Sequence, residues 1–197
     1  MTNNRFAKKA RLNNTRSILL TSLLALPLLF SAGCSTSQET VIKSPVEVGR
    51  KAPEILTETE NGAKMSLSQH KGSYVLVAFW DSGNTAARKA HAELQHIYNT
   101  YKDAEFRDAH GFCVFSVSLD TDRDAWLKAV HEDGINWPCQ TIDTGGWNAV
   151  SAKTYGVNYT PKYFLVDGEG KIIDKHVDID MLDDALAEQL SKRAGRP

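Results

Sequence analysis

Hydrophobic and polar residues alternate along the chain in blocks that predict strands followed by helices. Tyr74–Trp80 is a continuous apolar run with β-branched and aromatic members, which predicts a strand buried on both faces. Apolar residues recur at helical spacing over Thr85–Tyr101, and this periodicity places His91 away from the buried face. A second apolar strand is predicted over residues 112–119, and a capped amphipathic helix after it ends near Gly134.

Shorter segments on both sides complete the pattern. A hairpin is predicted around Asn61-Gly62, a short strand over residues 137–142, a small helix over 147–154, a second hairpin around 167–170 and a last helix over about 181–193. Strands that alternate with helices imply an α/β fold with a mostly parallel central sheet covered on both faces. The last hairpin adds an antiparallel edge, so the sheet is expected to be mixed.

The first 33 residues have a different character from the rest. Five basic residues precede an apolar run over residues 18–30, and no acidic residue occurs before Cys34. A helix of that run would be about 20 Å long, which is too short for a hydrocarbon core of about 30 Å. This arrangement is typical of a secretory signal.

The end of that segment, Ser31-Ala32-Gly33-Cys34, resembles a bacterial lipobox. The resemblance implies cleavage before Cys34 and a lipid on its thiol, although Ser31 stands where the motif usually has Leu. The alternatives are an ordinary secretion signal with a free amino-terminal cysteine and an uncleaved anchor. We therefore expect a lipoprotein signal peptide at 1–33, a flexible tether at 34–46 and one domain at 47–197.

Composition narrows the class of protein. The chain of 197 residues is 42% hydrophobic and 24% charged, which excludes a disordered, collagen-like or coiled-coil chain. Beyond the first 33 residues, acidic residues outnumber basic ones by six. Nucleic-acid binding is not expected, because phosphate contacts need clustered Lys and Arg. Three cysteines are too few for a disulfide-dense miniprotein or a four-cysteine zinc module.

Several short motifs occur in an order that resembles a known family. They are the segment Val48 to Pro53, Asn61-Gly62, Lys71-Gly72, Phe79-Trp80, Tyr155-Gly156-Val157, Thr160-Pro161 and Phe164 to Asp167. The order is similar to that of the secreted thioredoxin-like proteins of the TlpA/ResA type, within the redoxin group that includes the thiol-specific antioxidant peroxidases. The resemblance covers residues 48 to about 190 and implies a thioredoxin-like fold with an amino-terminal hairpin extension.

The family performs its chemistry with Cys-x-x-Cys at the start of the helix after Phe-Trp. There the helix amino terminus lowers the pKa of the attacking thiol. The matching stretch in this chain is Asn84-Thr85-Ala86-Ala87, and the two cysteine positions are taken by Asn84 and Ala87. No cysteine lies between Cys34 and Cys113. Dithiol exchange at the usual site is therefore not expected, and Asn84 or Thr85 would cap the helix instead.

The resemblance also places a cis-proline at Thr160-Pro161. In the family this loop pairs with an extended segment of a partner protein, and such a binding surface does not require the cysteines. The expected partners are therefore the membrane, through the lipid on Cys34, and an extended protein segment at this loop.

Two cysteines remain in the predicted domain. In the family's topology Cys113 and Cys139 lie near the starts of neighbouring parallel strands, at the opposite end from redoxin chemistry. A disulfide between them and two buried free thiols both remain open. No Cys/His spacing resembles a zinc site, so neither a metal nor another cofactor is expected.

These observations favour an envelope-anchored thioredoxin-like protein without thiol catalysis that acts as a binding or scaffold module. We expect it at the outer membrane, facing the periplasm. One alternative is a thiol-disulfide oxidoreductase or antioxidant redoxin that uses Cys113 and Cys139. Another is a non-redox enzyme built on Asp81, Asn84 and nearby polar groups, for which the sequence suggests no substrate.

Overall fold

The computed structural model describes residues 45–191. The predicted signal peptide at 1–33, the lipidation site Cys34 and the tether up to residue 44 lie outside the described residues. Val46 already packs in the core, with 4% of its surface exposed. None of the described helices is long and apolar enough to cross a membrane.

The described residues form seven strands and four α-helices. The strands are β1 Leu56–Thr59, β2 Lys64–Ser66, β3 Tyr74–Trp80, β4 Phe112–Ser118, β5 Gln140–Ile142, β6 Lys162–Val166 and β7 Ile172–Asp174. The helices are α1 Thr85–Tyr101, α2 Arg123–Glu132, α3 Val150–Thr154 and α4 Ile179–Gln189, with 3₁₀ turns at Leu67–His70 and Gly146–Asn148.

The strands form one mixed sheet in the order β2-β1-β5-β4-β3-β6-β7. The central strands β3, β4 and β5 are parallel, whereas the outer pairs are antiparallel. Every residue of β3 and β4 is buried, as expected for strands covered on both faces. The predicted α/β class and mixed sheet are thus confirmed. The expectation of a mostly parallel sheet is wrong, because four of the six strand pairs are antiparallel.

Different elements cover the two faces of the sheet. One face carries Val77 and Phe115 and packs against α3 and the segment that precedes β1. The other face carries Leu76 and Val114 and packs against α1 and α4. A smaller cluster around Trp80 joins the start of α1 to α2. Because both faces are covered, ligands can reach the sheet only at the strand ends or at its edges.

Most element boundaries lie within a few residues of the sequence prediction. The bounds of β3 and α1 agree with it, and Gly62 adopts the positive φ of 79° that a tight turn after Asn61 requires. The third parallel strand, β5, begins only at Gln140, because Pro138 has no N–H to donate to a neighbouring strand.

The orientation of His91 differs from the prediction. Its side chain is buried, with Nδ1 2.7 Å from Asp133 Oδ2 and its ring edge-on to Trp80. Arg88 donates to both Asp133 oxygens at 2.6 Å. The prediction is wrong because His91 follows Ala87 by four residues and precedes Leu94 by three, which places it on the buried stripe of α1. The tertiary fold supplies the carboxylate that makes burial of an imidazole favourable.

The segment before β1 runs along the outer edge of β7. Gly49 and Ala52 donate backbone hydrogen bonds to the carbonyls of Ile172 and Gly170, and the Ile172 N–H donates to Arg50. These bonds lie at 2.8–2.9 Å and satisfy backbone groups that an edge strand leaves open.

Candidate functional site

The first candidate site lies where β3 ends and α1 begins. Asn84 caps α1, because its Oδ1 accepts the backbone N–H groups of Ala86 at 2.9 Å and Ala87 at 3.1 Å. The first N–H groups of a helix have no partner within the helix, and Asn is one of the residues best suited to accept them.

The same side chain also reaches the loop before β6. Asn84 Nδ2 donates to the Thr160 carbonyl at 2.7 Å and to Thr160 Oγ1 at 3.2 Å. The Thr160 hydroxyl in turn donates to the Asp81 carboxylate, and the peptide bond between Thr160 and Pro161 is cis. The structure thus brings together Asn84, Thr160 and Asp81 in one hydrogen-bond network.

The remaining residues of the degenerate motif hold no reactive group. Thr85 and Ala86 are exposed on the first turn of α1, and Ala87 is fully buried beneath it. Cys113 and Cys139, the two cysteines among the described residues, both lie at the amino ends of their strands. The end of the sheet beside Pro161 therefore presents amide, hydroxyl and carboxylate groups but no thiol.

A second network, which the sequence did not reveal, fixes the loop after β3. Asp120 accepts the backbone N–H of Ser82 at 3.0 Å and the Ser82 hydroxyl at 2.7 Å. The Ser118 hydroxyl donates to the same carboxylate at 2.6 Å. Because Asp120 follows β4, this contact ties the carboxyl ends of two parallel strands together and holds the Asp81–Asn84 turn in place.

A groove of about 370 Å³ lies beside Pro161. Its walls come from the loop before β6, from α1 and from the start of α4, and include Tyr159, Lys162, Lys175 and Ile179. The Tyr159 ring is 56% exposed, and Lys162 Nζ lies 5.4 Å from the centre of that ring. Burial, followed by the nearby charge of Lys175, lowers the pKa of Lys162.

A separate pair of thiols lies at the opposite end of the strands. Cys113 is the second residue of β4 and Cys139 directly precedes β5, and their Sγ atoms are 2.8 Å apart. The two residues are only 9% and 3% exposed, and both are free thiols. The structure thus has the free-thiol form of the two alternatives that the sequence left open. Their place at the amino ends of the strands is the one that the family's topology implied.

The structure adds His70 to this pair. It ends the 3₁₀ turn after β2, and its Nε2 and Nδ1 atoms lie 3.7 and 3.9 Å from Cys139 Sγ. The hydrogen bond from Cys113, together with the contact with His70, lowers the pKa of Cys139. The hydrogen bond with Cys139, together with burial, raises the pKa of Cys113. The contact with Cys139 raises the pKa of His70.

Sequence reasoning missed His70 because 43 residues separate it from Cys113, so no local Cys/His spacing exists. The only available signal was topological. The predicted hairpin returns the chain toward the amino end of β3, and the residue that follows the hairpin can therefore approach the starts of the neighbouring strands.

Comparison with known proteins identifies the fold and the family. A family model described as Redoxin matches residues 47–189 of the chain. The chain belongs to the Redoxin family. Its structure resembles the thioredoxin domain of a thiol-disulfide oxidoreductase from Bacteroides vulgatus, with a TM-score of 0.66 and 32% identity, over 74% of this chain and 99% of that one. The predicted thioredoxin-like fold is confirmed.

Two other relatives of this Redoxin carry similar names. The thiol-disulfide oxidoreductase ResA of Bacillus thuringiensis is 29% identical over 168 residues, which is 85% of this chain and 88% of that protein. A thiol:disulfide interchange protein from Bacteroides sp. has a TM-score of 0.67 and 31% identity, over 77% of this chain and 96% of that one. The TlpA/ResA-type resemblance is thus confirmed, and this Redoxin is related to thiol-disulfide oxidoreductases.

Proposed function

We propose that this Redoxin is an envelope-anchored binding module that does not catalyse thiol-disulfide exchange at the usual site of its family. The observation that supports this most directly is the bonding of Asn84. Where the family carries its attacking cysteine, this chain has an amide whose oxygen caps α1 and whose nitrogen binds Thr160.

The chemistry of exchange explains why this observation matters. A thiolate attacks a disulfide sulfur and a second thiol resolves the mixed disulfide, so both positions need sulfur. The Asn84 amide has no comparable nucleophile and no redox couple, and Ala87 has no polar side-chain atom. The relatives are named for oxidoreductase activity, whereas the site beside Pro161 in this chain offers hydrogen bonds and a groove.

The groove beside Pro161 suits an extended segment of a partner protein. It offers the exposed Tyr159 ring for apolar contact and the Lys162 ammonium for positive charge, whereas Lys175 is paired with Glu47 at 2.9 Å. Aromatic anchors with a polar surround are the usual composition of small binding surfaces. A partner segment with an acidic residue beside an apolar one fits these groups best.

Anchoring in the envelope rests on the amino-terminal sequence. The basic and apolar segment before Cys34 is typical of a secretory signal, and the resemblance to a lipobox favours a lipid on the Cys34 thiol. We place the domain in the periplasm, tethered to the outer membrane, where it would meet extended segments of other envelope proteins.

The loss of exchange is tested by an insulin reduction assay with dithiothreitol as the electron source. Wild type is expected to leave the rate at the level of the reductant alone. A double variant, Asn84→Cys with Ala87→Cys, should accelerate the reaction, because it restores both sulfurs at the start of α1. Acceleration by wild type that persists in Cys113→Ala and Cys139→Ala would contradict the proposal.

Binding is tested with a photoreactive residue at position 159. Irradiation in envelope extracts should give defined cross-linked bands that Lys162→Glu weakens. The matched control carries the same photoreactive residue at Leu56, which is 63% exposed on β1 and is not among the residues of the groove. Equal cross-linking from both positions, insensitive to Lys162→Glu, would show that the groove is not a selective surface.

A second candidate function is dithiol oxidoreduction by Cys113 and Cys139. The 2.8 Å approach of their sulfurs favours it, since little movement would close a disulfide. Their burial opposes it, because a protein disulfide must reach the attacking sulfur. Fast labelling of both thiols by a maleimide in the native protein, with a measurable reduction potential, would support this function, and protection of both would exclude it.

A further inference from the structure

We propose that His70, Cys113 and Cys139 form a site for a thiophilic divalent cation, with Zn²⁺ as the ion that fits best. The three residues come from the 3₁₀ turn after β2, from β4 and from the residue before β5. One ligand atom from each lies within 4.8 Å of the other two. No local sequence motif produces this arrangement; the fold brings the three donor atoms together.

The donor set matches the chemistry of zinc. Two thiolates and an imidazole are common zinc ligands, and the two negative charges balance the charge of the ion. Charge balance matters here because the sulfurs lie in an apolar cluster with Val75, Phe115 and Leu67. An uncompensated charge in such surroundings would be strongly unfavourable.

The distances between the donor atoms are close to those expected around a bound ion. With Zn–S of about 2.3 Å and Zn–N of about 2.0 Å, a tetrahedral site spaces sulfur and nitrogen about 3.5 Å apart and two sulfurs about 3.8 Å apart. His70 Nε2 already lies 3.7 Å from Cys139 Sγ. The two sulfurs, at 2.8 Å, must separate by about 1 Å, which rotation about the cysteine χ1 angles can provide.

The histidine side of the site is open to solvent. His70 is only partly buried and borders a cavity of about 90 Å³ that is also lined by Glu54 and Ser68. Burial that keeps a protein disulfide away does not exclude a single ion. The backbone at Cys139 is held by β4, because the Ser116 N–H donates to the Cys139 carbonyl at 2.9 Å.

The test measures Zn²⁺ binding to the full chain after reduction with a phosphine, by competition with a chromogenic chelator. One ion per chain is expected. His70→Gln should weaken binding about tenfold or more, as should Cys113→Ser and Cys139→Ser. His96→Gln, an exposed histidine on α1, is the matched control and should bind like wild type. Near-ultraviolet circular dichroism checks that each variant is folded.

Co²⁺ provides a second readout that reports the ligand type. A thiolate-to-cobalt charge-transfer band should appear with wild type, decrease in either cysteine variant and shift in His70→Gln. Reduced wild type that binds no more Zn²⁺ than folded His70→Gln, or that shows no such band, would overturn the proposal. A Cys113–Cys139 disulfide with no metal binding after its reduction would overturn it too and would favour dithiol chemistry. None of these results depends on Asn84 or on the groove beside Pro161, so the proposed function is tested separately.

Discussion

The amide nitrogen of Asn84 lies 2.7 Å from the carbonyl oxygen of Thr160, 76 residues further along the chain. Because the oxygen of the same amide caps α1, one side chain joins a helix start to the loop that precedes β6. Two separate hydrogen-bonding functions thus depend on this residue, and they can be separated by substitution.

Asn84→Ala removes both functions, whereas Asn84→Ser keeps a capping oxygen but cannot reach Thr160. We expect the alanine variant to lose about 1–3 kcal/mol of unfolding free energy and the serine variant to lose less. Urea denaturation of the two variants and wild type measures the difference. Equal stability of Asn84→Ala and wild type would mean that the network is not maintained in solution.

The stability of the domain should depend on pH through His91. Burial holds the pKa of His91 below its ordinary value of 6.5. Below that value the unfolded chain binds a proton that the folded chain resists, so the unfolding free energy falls as the pH drops below about 6.5.

His91→Gln keeps a donor for Asp133 without the titration and should flatten this dependence, by at most about 1.4 kcal/mol per pH unit. Denaturation curves at several pH values measure the slope. His131→Gln, on the exposed side of α2, serves as the control and should retain the wild-type slope. An unchanged slope in His91→Gln would assign the pH dependence to other groups.

The Tyr155 hydroxyl should stabilise the segment before β1. It donates to the Pro53 carbonyl at 2.6 Å, and its ring packs on Phe79 and Phe164. Tyr155→Phe keeps the ring and leaves the carbonyl without this donor, so a loss of about 1 kcal/mol is expected.

Hydrogen exchange locates this effect. In Tyr155→Phe, amides of the segment before β1 should exchange faster than in wild type, whereas those of β3 and β4 should not. Tyr159→Phe alters an exposed ring and is the control. Faster exchange throughout the sheet in Tyr155→Phe would indicate a global loss of stability rather than local release of the segment.

Lipidation is predicted at Cys34. Wild type should incorporate a labelled fatty acid and remain with the membrane fraction, whereas Cys34→Ser should do neither. Cys113→Ser should incorporate label like wild type, because its thiol lies in the folded domain. Label that persists in Cys34→Ser would contradict the lipoprotein assignment.

The parts of the fold that the sequence predicted best are those governed by local pattern. Local sequence alone predicts β3, from its apolar run, and α1, from its helical periodicity. Both elements have the predicted bounds in the structure. The Asn61-Gly62 turn also depends on local sequence alone, because it requires a positive φ that glycine adopts easily.

The residues that the sequence could not place depend on contacts between distant segments. His91 is buried because Asp133 on another element accepts its hydrogen bond, and helical spacing alone cannot supply that partner. His70 approaches Cys139 only after a hairpin and two parallel strands have formed. The Asp120 network likewise joins two loops that only the sheet brings together.

The backbone pairing of residues 49–52 with β7 limits how this protein can hold another chain. The outer side of β7 is already occupied by the protein's own main chain, and β2, at the far side of the sheet, offers three residues beginning with the exposed Lys64. A guest polypeptide therefore gains little by extending the sheet. Binding at the groove proposed above would then rest on side chains, so its selectivity should follow the chemical character of the partner's residues.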